Sequence, residues 1–314
     1  MRASGFAARA ALVALACFTL AASGCGQSPR VPIGERPVEV VTTTNFLADM
    51  TREVGGSRVR VSSMMGPGVD PHSYKASASD VRTLRDADLL LHVGLGLEGR
   101  MGDWFEEMSR RTQVVAVTDG IPRRSLLASQ DYEDQFDPHV WFDIPIWTST
   151  VGMIERALTA ADPAGADDYA ARADGYRRQL AALDREVRAK LSGVPATQRQ
   201  LVTSHDAFAY LGRRYGLRVE GIQGISTATE ATTTDIERVA QSIASSGIPT
   251  IFVESSVSPQ TMNAVQEAAA RKGHAVEIGP ELFADSAGAE GTPEGTYIGM
   301  VRANAARIAG GLSR

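Results

Sequence analysis

The chain has 314 residues, of which 43% are apolar and 22% are charged; this composition is typical of a soluble globular protein with room for two domains. Its formal net charge of −5 argues against a nucleic-acid-binding role. The only two cysteines, Cys17 and Cys25, lie near the N-terminus, so the rest of the chain can form neither disulfides nor thiolate metal sites.

The first residues have the pattern of a secretory signal. Two arginines precede an apolar run over residues 10–22, which is too short for a stable membrane span. The sequence LAASGC, ending at Cys25, resembles a bacterial lipobox, although Ala22 stands where leucine is usual. We therefore predict a signal peptide over residues 1–24 and a tether over residues 25–36 that is lipid-anchored at Cys25. Cleavage without lipidation is the alternative.

From residue 38 onward, apolar strand patterns alternate with helical patterns. The predicted strands cover residues 38–42, 58–64, 89–93 and 113–117, and then 200–203, 218–222, 250–253 and 275–278. Such alternation favours parallel sheets. The predicted fold class is therefore α/β, with two (β/α)4 lobes and a ligand site in the cleft between them.

A long helix is predicted between these halves, from residue 163 to residue 193. Its apolar positions recur every three, four or seven residues, which places them on one helical face: Tyr169, Tyr176, Leu180, Leu183, Val187 and Leu191. Acidic residues stand four before basic ones in four pairs: Asp168/Arg172, Asp174/Arg178, Asp184/Arg188 and Glu186/Lys190. We interpret this segment as a rigid backbone helix that joins an N-terminal lobe, residues 37–162, to a C-terminal lobe, residues 194–314. An acidic loop over residues 119–137 is predicted to be mobile.

Three of the five histidines occupy loop positions that favour a metal site. His72 and His139 each end an Asp-Pro-His tripeptide, and His205 follows a predicted strand. Ligands of open α/β sheets gather at the carboxyl ends of strands. Imidazole suits zinc, manganese or iron, and a carboxylate commonly completes such a shell. Asp285, after the last strand, is the candidate carboxylate.

The remaining candidates have other predicted roles. Glu254 ends a strand and is expected to support a ligand from behind. Asp206 is interpreted as a helix N-cap, His92 as a packing histidine inside a strand, and His274 as a surface residue. No catalytic residue is predicted.

Six segments of the chain resemble those of a known family. The segments VDPHSYKAS, DPHVWFD, VTSHDAFAYLGRRYGL, IQGISTATEATTTDI, IFVESSVSPQ and IGPELFADSAG resemble, in this order, the zinc/manganese solute-binding lipoproteins of bacterial ABC importers, the TroA-like or ZnuA-like group. The resemblance covers essentially all of the chain after the tether. It implies two (β/α)4 lobes joined by one rigid helix, and metal ligands at His72, His139, His205 and Asp285.

The resemblance also implies a function. The chain would be an extracytoplasmic monomer that captures Zn²⁺ or Mn²⁺ as cargo and delivers it to the permease and ATPase of an ABC importer. Many manganese members have glutamate where His205 stands, and many zinc members have a His-rich loop where this chain has an acidic one. The rival functions are a secreted zinc hydrolase and a surface adhesin. Four protein ligands would leave no position for a catalytic water, and no H-E-x-x-H occurs.

Overall fold

The first lobe is built around a parallel sheet of four strands. The computed structural model describes residues 31–129 and 131–313, so the predicted signal peptide and Cys25 lie outside the described residues. The strands lie in the order β2-β1-β3-β4. They are β1 (Val38–Thr42), β2 (Val59–Ser63), β3 (Leu89–His92) and β4 (Gln113–Ala116). Central strands β1 and β3 are almost completely buried, as a parallel sheet covered on both faces requires.

Helices cover both faces of this sheet. They are α1 (Asn45–Gly55), α2 (Ala78–Arg85), α3 (Gly102–Ser109) and α4 (Ile144–Ala161). Helix α2 begins with a capping box, in which the Ser77 hydroxyl accepts from the Asp80 amide and the Asp80 carboxylate accepts from the Ser77 amide. Helix α4 is absent from the sequence prediction, and its buried residues pack into the main hydrophobic core.

The second lobe repeats the arrangement. Its strands are β5 (Gln200–His205), β6 (Arg218–Gln223), β7 (Thr250–Ile251) and β8 (Glu277–Ile278). Strand β5 pairs with β6 and β7 with β8, and a parallel bridge between Thr203 and Phe252 joins the two pairs. The surrounding helices are α6 (Ala209–Tyr215), α7 (Thr233–Ser246), α8 (Gln260–Arg271) and α9 (Tyr297–Leu312). The predicted α/β class with parallel sheets is confirmed.

One long helix, α5, runs unbroken from Ala166 to Ser192 between the lobes. All six of its predicted apolar positions are buried, and they pack against α1, α4 and α9. The four predicted pairs within the helix are wrong. Three of its acids contact bases outside the helix: Asp168 with Arg58, Asp184 with Arg214 and Glu186 with Arg302. Asp174 pairs within the helix, but with Arg177 instead of Arg178. The three ion pairs that leave the helix therefore tie it to both lobes.

The acidic loop over residues 119–137 is attached to the second lobe. The Leu127 amide donates to the Tyr210 hydroxyl at 2.9 Å, and the Asp131 carboxylate accepts from the Ile225 amide at 2.8 Å. Leu126 and Leu127 also pack against the core. The loop thus has anchors that its composition did not reveal. No helix within the described ranges is long and apolar enough to cross a membrane.

Candidate metal centre

Four side chains from the two lobes converge in the cleft. His72 follows β2 and His139 precedes a short 3-10 turn in the first lobe, whereas His205 ends β5 and Asp285 follows β8 in the second. All four are buried, and one potential ligand atom from each lies within 4.8 Å of the others. The structure therefore brings together all four residues that the sequence proposed as metal ligands.

The spacing of these atoms suits a small divalent cation. His139 Nε2 lies 3.3 Å from the Nε2 atoms of both His72 and His205. The Asp285 carboxylate lies 3.4 Å from His205 Nε2, 3.5 Å from His139 Nε2 and 3.9 Å from His72 Nε2. Tetrahedral ligands at zinc–nitrogen bond lengths are separated by about 3.3 Å. Asp285 Oδ1 is buried and accepts no hydrogen bond from the described residues, which leaves it available to a cation.

Carboxylates orient two of the three imidazoles from behind. His139 Nδ1 lies 2.7 Å from Asp137 Oδ1, and the same oxygen accepts from the His139 backbone amide. His205 Nδ1 makes a short hydrogen bond to Glu254, whose other oxygen accepts from the His205 amide at 2.9 Å. These contacts fix the tautomer in which Nε2 faces the centre. Glu254 thus lies where the sequence analysis expected it.

His72 is held differently. Asp70 accepts from the His72 backbone amide at 2.9 Å, but its carboxylate is not hydrogen-bonded to the His72 ring. The other Asp70 oxygen accepts from the hydroxyls of Ser73 and Thr227. The two Asp-Pro-His tripeptides therefore share one backbone turn and differ in what the carboxylate holds.

Burial and charge shift the titration of the cluster in opposite directions. Burial lowers the pKa of His72 to about 4. Burial would also lower the pKa of His139, but the Asp137 and Asp285 carboxylates outweigh it and raise that pKa to about 9. Against the same effect of burial, Glu254 and Asp285 hold the pKa of His205 well above its usual value. Burial would raise the pKa of Asp285, but His205, His139 and His72 hold it well below its usual range. Because their pKa values are raised, protons compete with a metal ion for His139 and His205.

The other two histidines lie outside the centre. His92 stacks on Phe105 with ring centroids 4.3 Å apart, as expected of a packing residue. His274 is half-buried and its Nε2 lies 2.8 Å from the Ile248 carbonyl oxygen, so the prediction of a surface residue is wrong.

Two carboxylates have surroundings that the sequence analysis did not anticipate. Asp206 does not cap a helix, because α6 begins at Ala209 with Phe208 as its N-cap. Burial raises the pKa of Asp206 to about 6. Asp137 was not proposed as a site residue; its place in the repeated Asp-Pro-His tripeptide was the available signal.

Comparisons with known proteins agree with this geometry. Residues 40–311 match the family model described as zinc-uptake complex component A, periplasmic. The manganese-binding lipoprotein MntA of Bacillus subtilis (strain 168) is 42% identical over 297 residues, which are 94% of this chain and 97% of that protein. The zinc-binding protein TroA of Treponema pallidum (strain Nichols) is 43% identical over 275 residues, which are 88% of this chain and 89% of that protein.

A solved structure shares the fold. The periplasmic zinc-binding protein TroA from Treponema pallidum superposes with a TM-score of 0.86 at 42% identity, covering 88% of this chain and 100% of that one. Two relatives of nearly equal similarity thus carry names with different metals.

Proposed function

Because the chain belongs to the family of zinc-uptake complex component A, we propose that it is an extracytoplasmic solute-binding lipoprotein of an ABC importer. It captures Zn²⁺ or Mn²⁺ and delivers the ion to the importer's permease and ATPase. Relatives carry the names manganese-binding lipoprotein, zinc-binding protein and manganese ABC transporter substrate-binding lipoprotein, which supports this function.

The observation that carries the proposal is the convergence of three imidazoles and one carboxylate from both lobes. We assign His72, His139, His205 and Asp285 as the metal ligands, with Glu254 and Asp137 orienting two of them. The Asp285 carboxylate supports this assignment, because its buried Oδ1 faces the imidazoles of the centre and accepts no hydrogen bond from the described residues, so a bound cation would neutralise it. In this assignment residues 37–162 and 194–314 are the lobes and residues 163–193 are the linking helix.

The ligand set favours zinc over manganese in intrinsic affinity. Three nitrogen donors and one oxygen donor suit zinc, and affinity at such sites rises from Mn²⁺ to the later divalent metals. The metal carried in the cell depends on availability as well, because cellular selectivity is not set by affinity alone.

The same geometry supports binding and transport instead of catalysis. A catalytic zinc usually has three protein ligands and an open position for water, whereas four side chains here surround one point. We further propose that the chain acts as a monomer and that a lipid on Cys25 anchors it to a bacterial membrane on an extracytoplasmic side, at the cell surface or in the periplasm.

A competition titration tests this function. The metal-free mature protein is titrated with Zn²⁺ and Mn²⁺ against chromophoric chelators of known affinity, and bound metal is counted by elemental analysis. We expect one metal ion per chain and tighter binding of Zn²⁺. Absence of saturable binding of either ion, or hydrolysis of peptide or ester substrates by the zinc-loaded protein, would contradict the proposal.

A further inference from the structure

The loop that carries His72 contacts the second lobe at two hydroxyl groups. We define the His72 loop as residues 66–74, between β2 and α2. The Gly68 amide donates to the Ser286 hydroxyl at 2.8 Å, and Asp70 Oδ2 accepts from the Thr227 hydroxyl at 2.7 Å. Ser286 is next to the ligand Asp285, whereas Thr227 is remote from all four ligands in sequence. Thr227 therefore links the lobes without belonging to the ligand set.

Asp70 transmits this contact to His72. One of its carboxylate oxygens accepts from the His72 backbone amide at 2.9 Å, while the other accepts from Thr227. Pro71 lies between the two residues and restricts the backbone there. A displacement of Asp70 away from the second lobe would therefore displace His72 with it.

His72 also lies on the open side of the metal centre. A cavity of about 220 Å³ reaches it from the surface and is lined by Leu95, Tyr132, Gln135 and Ile225 among others. Of the four proposed ligands, only His72 lines this cavity, whereas His139 and His205 are fully buried and held by carboxylates. An ion that exchanges with solvent through this cavity would pass His72.

We propose that Thr227 is a positioning residue that slows metal release by holding the His72 loop, through Asp70, against the second lobe. This inference rests on the proposed metal-binding function. The hydrogen bond has a charged acceptor and closes the gap between the lobes next to His72, so its loss should favour opening of the loop. Because the Ser286 contact remains, we expect release to be faster by about tenfold, with the association rate unchanged.

The test compares Thr227→Val, Thr227→Ser and Thr234→Val in the full mature chain. Valine is close in size to threonine but lacks the hydroxyl, and serine retains it. Thr234 is an exposed residue in the first turn of α7 and provides the matched control. Each protein is loaded with Zn²⁺ alone or Mn²⁺ alone and mixed with excess chromophoric chelator in a stopped-flow instrument. Thermal melting of the metal-free proteins checks that each variant folds.

The inference requires that Thr227→Val releases metal about tenfold faster, while Thr227→Ser and Thr234→Val remain near the parent rate. Equal release from Thr227→Val and the parent would overturn it, as would equally fast release from Thr227→Val and Thr227→Ser. If the parent does not bind metal, the proposed function fails; if it binds metal and the Thr227→Val rate is unchanged, only this inference fails.

Discussion

The two Asp-Pro-His tripeptides have the same sequence, but their aspartate carboxylates contact different groups. At residues 137–139 the carboxylate hydrogen-bonds to the imidazole of its own tripeptide, and His139 is fully buried. At residues 70–72 the carboxylate contacts Thr227 of the other lobe, and His72 borders a cavity. Local sequence determines the shared backbone turn, and the tertiary surroundings determine whether the aspartate orients a ligand or joins two lobes.

The largest loss of metal affinity is expected from removing His139, the ligand whose imidazole is hydrogen-bonded to Asp137. Loss of a residue that supports a ligand typically weakens metal binding by about 10- to 100-fold. His139→Ala removes a ligand itself, so we expect it to weaken binding by more than about 100-fold. Isothermal or competition titration with Zn²⁺ measures the change. His274→Gln is the matched control, since the imidazole of that histidine lies outside the centre and is 2.8 Å from the Ile248 carbonyl oxygen. A similar loss in His274→Gln would disprove the ligand assignment.

The next largest loss of metal affinity should distinguish Asp137 from Asp70. Asp137→Asn should weaken Zn²⁺ binding by about 10- to 100-fold, because the His139 ring loses its charged partner. Asp70→Asn should weaken it less, because that carboxylate does not contact a ring. Equal dissociation constants for the two variants would show that the distinction between the tripeptides has no energetic consequence.

The helices and strands were largely predictable, because their apolar periodicity reports which face is buried. Helix α4 was missed although its buried positions, Ile144, Trp147, Val151, Ile154 and Leu158, have helical spacing, and Asp143 caps its start. For α5, the helix itself was predicted but its ion-pair partners were not. Three acids of its predicted pairs contact bases outside the helix, such as Arg214 and Arg302, and helical spacing alone could not reveal those partners.

The candidate ligands were predictable for a related reason. Residues after parallel strands meet at one edge of a sheet, and the family resemblance indicated which of them matter. The contacts behind the ligands could not be predicted, because Asp70 and Thr227 are separated by 157 positions and meet only when the lobes pack. Asp137 could have been predicted as a site residue, since its Asp-Pro-His tripeptide occurs twice in the sequence.

A smaller effect concerns metal preference. His205→Glu should shift preference from Zn²⁺ toward Mn²⁺, because an oxygen donor replaces nitrogen. The structure places Glu254 against the His205 ring, so two carboxylates would then repel each other. The double variant His205→Glu/Glu254→Gln should therefore show the clearer shift, by about tenfold in the ratio of dissociation constants. An unchanged ratio in both variants would contradict this expectation.

A separate effect is a difference in how His72 and His139 respond to pH in the metal-free protein. The unfolded-state pKa of histidine is about 6.5. The pKa of His139 is raised to about 9, so its stabilising contribution is complete below pH 6.5 and is lost as the pH rises toward 9. The pKa of His72 is lowered to about 4, so its contribution is present above pH 6.5 and is lost as the pH falls toward 4.

Chemical denaturation from pH 4 to pH 9 tests this pattern. The unfolding free energy of the parent minus that of Asp137→Asn should decrease between pH 6.5 and 9, and the parent minus His72→Gln should decrease between pH 6.5 and 4. Metal affinity should increase toward pH 9, because protons compete for His139. Differences that do not vary with pH would contradict the assigned pKa directions.

In the proposed function, His72, His139, His205 and Asp285 surround one metal ion. X-ray absorption spectroscopy at the zinc edge of the zinc-loaded protein tests it most directly, because scattering from imidazole rings counts the histidine ligands. We expect four nitrogen or oxygen neighbours at about 2.0 Å, three of them imidazoles, and loss of one imidazole in His72→Ala. Two or fewer imidazoles in the parent, or a spectrum unchanged in His72→Ala, would contradict it.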